Sequence, residues 1–247
     1  MSILIPGVIA LIFIAILHSF FGMKIIQRGI IFTDLAIAQG AAFGLSLSLI
    51  LEYDNFSYVF SLGFAFLVSM LIGTFYKQQH IEAFVASMYA FFSGLIVLSL
   101  SSNPHGSEIF ARLVSSDVLF ISFEDVYEVA FLYGLTLLFL STLYKKIESQ
   151  KLQNIIFFLL FALTLTSSVK LVGVIMVFTL LISGPLVATL LKKGFLFASL
   201  LSCFMVILTL AISYYFDSPS SATIVTICAL LSIIVYIYCF LPKVMKK

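Results

Sequence analysis

The 247-residue chain has little of what a soluble protein needs: charge is scarce, tryptophan is absent, and proline, histidine and cysteine are rare. Only 10% of the residues are charged and 62% are hydrophobic, whereas soluble domains have roughly 25% charged residues. A single soluble core could not bury so much apolar surface, so the composition indicates a protein embedded in lipid. The net charge of +2 gives no support for nucleic-acid binding.

Catalytic motifs are missing as well. The sequence has no H-E-x-x-H, no Walker A loop, no G-x-G-x-x-G and no G-x-S-x-G. Its three cysteines, Cys203, Cys228 and Cys239, lie in apolar runs without C-x-x-C spacing, so we expect inert thiols. We therefore expect neither an enzyme nor a bound cofactor. If the chain moves a solute, it must take the energy from a partner subunit or from an ion gradient.

What the chain does have is a series of long apolar runs. A hydrocarbon core of ~30 Å needs ~20 apolar residues per helix, which predicts an all-α, polytopic membrane helix bundle forming one domain over residues 1–247. About nine spans are expected, at 4–22, 31–51, 57–76, 83–101, 125–144, 153–169, 171–191, 195–215 and 222–241. The first run has no basic segment before it and no small-x-small site after it, so we expect a retained span rather than a signal peptide.

The apolar run at 153–191 is broken only by the sequence SSVK. One helix of that length would be about twice as long as the membrane core is thick, so two helices joined by a tight turn at 167–170 are expected. The second contains Gly184 and Pro185, where proline cannot donate to the helix ladder and a kink is expected. A carbonyl freed at membrane depth needs protein or water around it, which places this segment inside the bundle.

Basic residues fall on alternate connections, which predicts the orientation of the chain. The connections around Lys24, Lys77, Lys146 and Lys192 and the C-terminus are basic, and those between them are acidic or nearly neutral. The positive-inside rule then puts the N-terminus outside and the C-terminus in the cytoplasm.

The stretch at 28–50 is the one around which we expect the bundle to be organised. Asp34 is an acidic residue in an apolar run, and Gly40 and Gly44 form a G-x-x-x-G pair that lets another helix approach closely. A carboxylate facing lipid costs at least about 2.5 kcal/mol, so Asp34 should face protein or water. The alternative is that Asp34 only favours the helix dipole from the first turn. Gln39 lies about 140° away on an ideal helix, where a helix–helix hydrogen bond is expected.

Other polar side chains favour simpler interpretations. His18 is expected to be a packed histidine more often than a metal ligand, and Glu128, His105 and Glu108 are expected to be solvated. The 27 phenylalanines are expected to be lipid-facing bulk.

Three stretches together resemble the membrane subunits of zinc, manganese and iron ABC importers. They are FTDLAIAQGAAFG (32–44), SVKLVGVIMVFTLLISGPLVATLL (168–191) and SYYFDSPSSATIV (213–225), with a weaker match at LVSSDVLFISFEDV (113–126). The resemblance implies a type II ABC importer permease, paired in a bacterial inner membrane. It also implies a cytoplasmic ATP-binding subunit, an extracytoplasmic solute-binding protein and a path for a divalent metal ion. We expect that path to include Asp34, Gln39, Gly40, Gly44, Gly184 and Pro185.

Two departures from that family bear on function. The family has histidine four residues after the aspartate, where this chain has Ala38, so Asp34 would need ligands from elsewhere, such as His18, Met88 or Glu128. The loop KKIESQK (145–151) is shorter than the family's ATPase-docking loop. The resemblance makes a metal-ion permease the leading hypothesis. The two departures favour one alternative, a non-transporting scaffold of the same fold, and a second alternative is an ion-coupled secondary carrier.

Overall fold

The computed structural model describes residues 4–101, 105–114, 118 and 121–244, and the regular secondary structure of these residues is helical throughout. Two short 3₁₀ turns, Asp54–Phe56 and Tyr144–Lys146, precede α3 and α7. Nine of the described helices overlap the nine predicted spans, and the all-α bundle is confirmed, whereas the count of nine membrane spans stays a prediction. The ten α-helices are α1 (Leu4–Arg28), α2 (Thr33–Ile50), α3 (Ser57–Phe75), α4 (Ile81–Leu100), α5 (Gly106–Val114), α6 (Phe123–Thr142), α7 (Gln150–Val172), α8 (Val174–Leu190), α9 (Phe195–Tyr215) and α10 (Ser220–Val244).

Seven of the described helices are long and apolar enough to cross a membrane, namely α1 to α4, α7, α9 and α10. The helix α8 is equally apolar but has only 17 residues, and α6 has two acidic residues in its first turn. Large apolar side chains such as Phe131, Leu196 and Tyr215 are 73%, 76% and 82% exposed. Faces of this kind are stable in lipid, so the chain is a multi-pass membrane protein.

The turn predicted at 167–170 is wrong, because α7 continues as a helix to Val172. The break falls at Gly173, whose backbone has φ 80° and ψ 164°, a combination open essentially to glycine alone. Ser168 stays helical because its hydroxyl donates to the carbonyl of Thr164 at 2.8 Å. The hydroxyl group of Ser168, which was part of the predicted turn, is thus satisfied by the helix itself.

Two further boundaries differ from the predicted ones. The first helix runs past Gly22 to Arg28, so that Lys24 is helical rather than part of a connection. The predicted long loop at 102–124 contains α5, whose Ile109 and Leu113 pack on a cluster of Ala42, Ile96 and Leu100. The weakly matching segment 113–126 lies partly outside the described residues.

The internal contacts of the chain divide it into two compact units. The first unit comprises Met1–Gly29, Asp117–Ala130 and Ile175–Lys247, and the second comprises Ile30–Ser116 and Phe131–Val174. The chain therefore crosses between them four times: after Gly29, after Ser116 (outside the described residues), within α6 after Ala130, and after Val174, next to Gly173. The prediction of one domain over residues 1–247 stays a prediction.

In the second unit, α2 is packed between α3 and α4. It runs parallel to α4, since the backbone N–H of Ile31 donates to Glu82 Oε1 (3.3 Å) at one end and Ser99 donates to Ser46 (3.0 Å) at the other. The neighbouring α3 is antiparallel to α2, and Ser61 donates to the carbonyl of Ala41 at 2.6 Å.

At the other side of α3, the helix α7 packs antiparallel to it. A Cβ on Gly73 would lie 3.1 Å from the Cα of Ile155, so the two helices approach closely there. Lys77 donates to the Gln150 side chain at 2.8 Å and links the α3–α4 turn to the start of α7.

Candidate functional site

Asp34 is the second residue of α2 and lies in its first turn, the position that the dipole interpretation requires. Its side chain is nevertheless buried, with 2% exposure. The oxygen Oδ1 is shielded from solvent and has no hydrogen-bond partner among the described residues. An unsatisfied carboxylate oxygen in a membrane helix is expensive, so this atom is a candidate contact for a cation or for water.

The prediction that the G-x-x-x-G pair allows close helix approach is confirmed, and the partner is α3. A Cβ on Gly44 would lie 2.4 Å from the carbonyl oxygen of Phe60, and one on Gly40 would lie 2.7 Å from a methyl carbon of Val68. Both glycines therefore have a packing role in the second unit. Their place on a substrate path stays a prediction.

Two other positions of α2, Gln39 and Ala38, bear on the predicted site. Gln39 is half-buried, and its predicted path role is not tested by any contact that the structure shows. Ala38, at the position where the resembling family has histidine, is 2% exposed. A methyl group there offers no ligand, so Asp34 cannot form a two-ligand site within its own helix.

His18 lies in the first unit and is fully buried, and its Nδ1 is 3.0 Å from the carbonyl oxygen of Ile14 one turn earlier. This agrees with the expectation of a packed histidine, and its role as a metal ligand stays a prediction. The adjacent Ser19 donates to Ser202 of α9 at 3.0 Å. A polar bond thus joins α1 to α9 within the membrane part of the chain.

Gly184 and Pro185 lie where α8 contacts α1 and α9. The helix α8 continues unbroken through Pro185, which cannot donate to the carbonyl of Leu181. A Cβ on Gly22 of α1 would lie 1.9 Å from that carbonyl oxygen. The freed carbonyl therefore faces protein, which agrees with the prediction that this segment lies inside the bundle, whereas the kink and the path role of these residues stay predictions.

The first unit contains a cavity that the sequence did not predict. It has a volume of about 270 Å³ and lies between α8 and α10. Most of its walls are apolar, but the hydroxyl-bearing residues Thr179, Ser183, Ser232 and Tyr236 also line it. Two lining residues, Ser183 and Leu186, flank the Gly184–Pro185 pair. The small polar residues recurring four apart in α8 were the available signal.

Acidic and histidine side chains are otherwise dispersed. Among the described residues no group of three or more His, Cys, Asp or Glu side chains is placed to hold a metal ion. Glu128 is exposed on α6, and His105 lies 3.9 Å from Glu108 at the exposed start of α5. These placements agree with solvated side chains. The phenylalanines are mixed: Phe131 faces outward, but Phe157 and Phe161 are buried in the core, so the lipid-facing prediction is wrong for part of them.

The fold and the site together define a polytopic, all-helical membrane protein with a few buried polar groups in its span region. The chain belongs to the ABC 3 transport family, whose model matches residues 1–239. The resemblance to metal-ion ABC importer subunits is thereby confirmed at the level of the family.

A curated relative from Haemophilus influenzae, named as an iron transport system membrane protein, is 27% identical over 185 residues. The match covers 68% of this chain and 64% of that protein, so the chain spans less than two thirds of that relative's length.

Two solved structures share the fold. The PsaBC complex from Streptococcus pneumoniae with a Fab has a TM-score of 0.75 and 20% identity, and covers 96% of this chain and 91% of that one. A metal-chelate type ABC transporter in an inward-facing conformation has a TM-score of 0.71 and 14% identity, with coverages of 96% and 85%.

Proposed function

We propose that this chain is the membrane-spanning permease subunit of an ABC importer. The observation that carries the proposal is the family match over residues 1–239, nearly the whole described bundle. A permease of this class does not hydrolyse ATP itself. The proposal therefore includes a cytoplasmic ATP-binding subunit, an extracytoplasmic solute-binding protein, and pairing of two copies of this chain in a bacterial inner membrane.

The cargo that we propose is a divalent metal ion of the zinc, manganese or iron group. Support comes from the name of the Haemophilus influenzae relative and from the buried Asp34 with its unpartnered Oδ1. A conducting path needs sites that release an ion as readily as they bind it. One carboxylate without a companion ligand at Ala38 suits such a transient contact better than it suits storage.

The orientation that we propose has the N-terminus outside and the C-terminus in the cytoplasm. Three connections of the second unit meet at one end of it, since Lys77 bonds Gln150 and Ile31 bonds Glu82. Lys77, Lys146 and Lys151 are all at this end, which favours the cytoplasmic side. Asp34 would then contact the ion near the cytoplasmic end of its path.

The connection between α6 and α7 bears on the ATP-binding partner. It consists of the 3₁₀ turn Tyr144–Lys146 and a short segment in which Ser149 caps α7 by accepting from the N–H of Leu152. No separate docking helix is present in this described connection. We propose that the ATP-binding subunit contacts it together with the adjacent α3–α4 turn.

The test is transport in proteoliposomes that contain this chain, together with an ATP-binding subunit and a solute-binding protein from the same organism. The proposal predicts metal uptake that requires ATP on the side of the membrane where the ATP-binding subunit lies. It also predicts that ATPase activity rises when the complex assembles. Uptake that survives ATP depletion but collapses with the proton gradient would instead identify a secondary carrier. Assembly without any uptake of zinc, manganese or iron would identify a scaffold.

A further inference from the structure

Two glycines with left-handed backbone angles lie where the chain passes between its two compact units. Gly29 (φ 69°) is the last residue of the first segment of the first unit, and Gly173 (φ 80°) precedes the last residue of the second unit. These are the positive-φ glycines of the described chain. Both therefore mark crossings between units rather than turns within one.

Turns within the units use a different chemistry. The other described residues with positive φ are Glu52, His80, Lys192 and Asp217, and each joins helices of the same unit. A non-glycine residue is uncommon at positive φ, so the structure around such a turn must hold it there. Glycine explores both signs of φ freely, so it allows a connection to change its geometry.

The space around Gly29 supports a conformational role for this residue rather than a packing role. A Cβ added there would meet nothing within 4 Å, in contrast to the crowded Gly22 and Gly44. No neighbouring atom of the described structure therefore requires glycine at this position. The positive φ alone accounts for glycine here, because other residues rarely adopt it.

The crossing after Ser116 lies outside the described residues, and the remaining crossing lies inside a continuous helix. It falls between Ala130 and Phe131, and α6 runs unbroken from Phe123 to Thr142. Gly134 follows within one turn, and a Cβ there would also meet nothing within 4 Å. Glycine lowers the stability of a helix interior, so α6 can bend near this point while the two glycine connections adjust.

We propose that Gly29 and Gly173 are hinges, whose backbone angles change when the two units move as separate bodies during transport. The inference rests on the proposed function, because a transport cycle is what requires two conformations. Hinges in proteins are short segments at the ends of regular elements that absorb large backbone changes. Gly29 follows α1 directly, and Gly173 separates α7 from α8.

The experiment measures distances between spin labels by double electron–electron resonance in the reconstituted complex, with and without ATP. In a background with the three native cysteines replaced, labels at Val59 and Leu200 report on the two different units. Labels at Val59 and Val97 report within the second unit. All three positions are at least half exposed, with values of 63%, 70% and 58%.

The proposal predicts an ATP-dependent shift, or a broad distribution without nucleotide, for the Val59–Leu200 pair, and a constant narrow distance for Val59–Val97. Gly29→Ala and Gly173→Ala should abolish that shift, whereas the control Gly63→Ala, in open space within α3, should preserve it. Gly29→Ala is the informative variant if Gly173→Ala fails to fold.

Two results would overturn the hinges: a constant Val59–Leu200 distance under all conditions, or an unchanged shift in both alanine variants. Metal uptake in the same proteoliposomes is read separately. A Val59–Leu200 shift without metal uptake would contradict the proposed function and leave the hinges standing. Metal uptake without a Val59–Leu200 shift would contradict the hinges and leave the proposed function standing.

Discussion

The carbonyl oxygen of Leu181 occupies the position beside Gly22 where any other residue would place its side chain, 1.9 Å from an ideal Cβ. This carbonyl is the one that Pro185 cannot satisfy, because proline has no N–H to donate one turn later. The glycine on α1 and the proline on α8 are therefore two parts of one helix contact. A buried bond between Ser19 and Ser202 ties the third helix, α9, to the same place.

Replacing Gly22 with alanine should destabilise the first unit, because the added methyl must displace the backbone of α8. Overpacking of this kind costs about 1–3 kcal/mol. Unfolding in detergent, followed by circular dichroism during titration with a denaturing detergent, measures the change. The matched control is Gly63→Ala, where nothing lies within 4 Å, so the variant should match or exceed the stability of the native chain. Equal stability of the two variants would contradict the helix contact.

Replacing Gly184 with alanine should also be destabilising, because the added methyl meets the side chain of Ser202. A second substitution at Ser202 should relieve that clash. The added Cβ would lie 2.0 Å from Ser202 Oγ, the atom that accepts the bond from Ser19. Alanine at 202 removes that oxygen, so the double variant should lose less stability than the sum of the two single variants, by about 0.5 kcal/mol or more. The same unfolding assay measures all three, and strict additivity would show that the two residues do not touch.

Replacing Tyr133 with phenylalanine should weaken the contact between α6 and α7. The buried hydroxyl hydrogen-bonds Ser168 and lies 3.4 Å from the carbonyl oxygen of Thr164. Because Ser168 keeps its own bond to the same carbonyl, we expect a loss of only about 0.6 kcal/mol, the average for membrane helices. Tyr127→Phe is the control, since Tyr127 is 72% exposed. A loss as large for Tyr127 as for Tyr133 would contradict this assignment.

The spans were predictable because lipid imposes one rule on every segment: the backbone must bond to itself over ~20 apolar residues. Errors arose where polar side chains sit inside helices. Ser167 and Ser168 look like loop residues in sequence, yet α7 includes both and ends only at Gly173. The short α5 was missed because its four large apolar residues, Ile109, Phe110, Leu113 and Val114, repeat only once within nine residues, far fewer than the ~20 of a span.

The candidate site was predictable in its packing but less so in its position along the helix. Gly40 and Gly44 predicted a close helix contact, because small residues four apart have that consequence wherever the helix lies. The location of Asp34 in the first turn depended on where α2 begins, and capping signals were weak there: the residue before Thr33 is Phe32, which has no capping side chain. The contact between Gly22 and Leu181 joins distant segments, and no local pattern specifies it.

The most direct test of the central claim is metal uptake by the reconstituted complex with Asp34→Asn, which removes the charge and keeps the size of the side chain. If the buried carboxylate contacts the ion in transit, uptake should fall at least about tenfold, the effect of losing roughly 1.4 kcal/mol of stabilisation. Membrane insertion and binding of the ATP-binding subunit should be unchanged, and the control Asp54→Asn, on the exposed 3₁₀ turn before α3, should transport at the native rate. Native uptake of zinc, manganese and iron by Asp34→Asn would contradict the account.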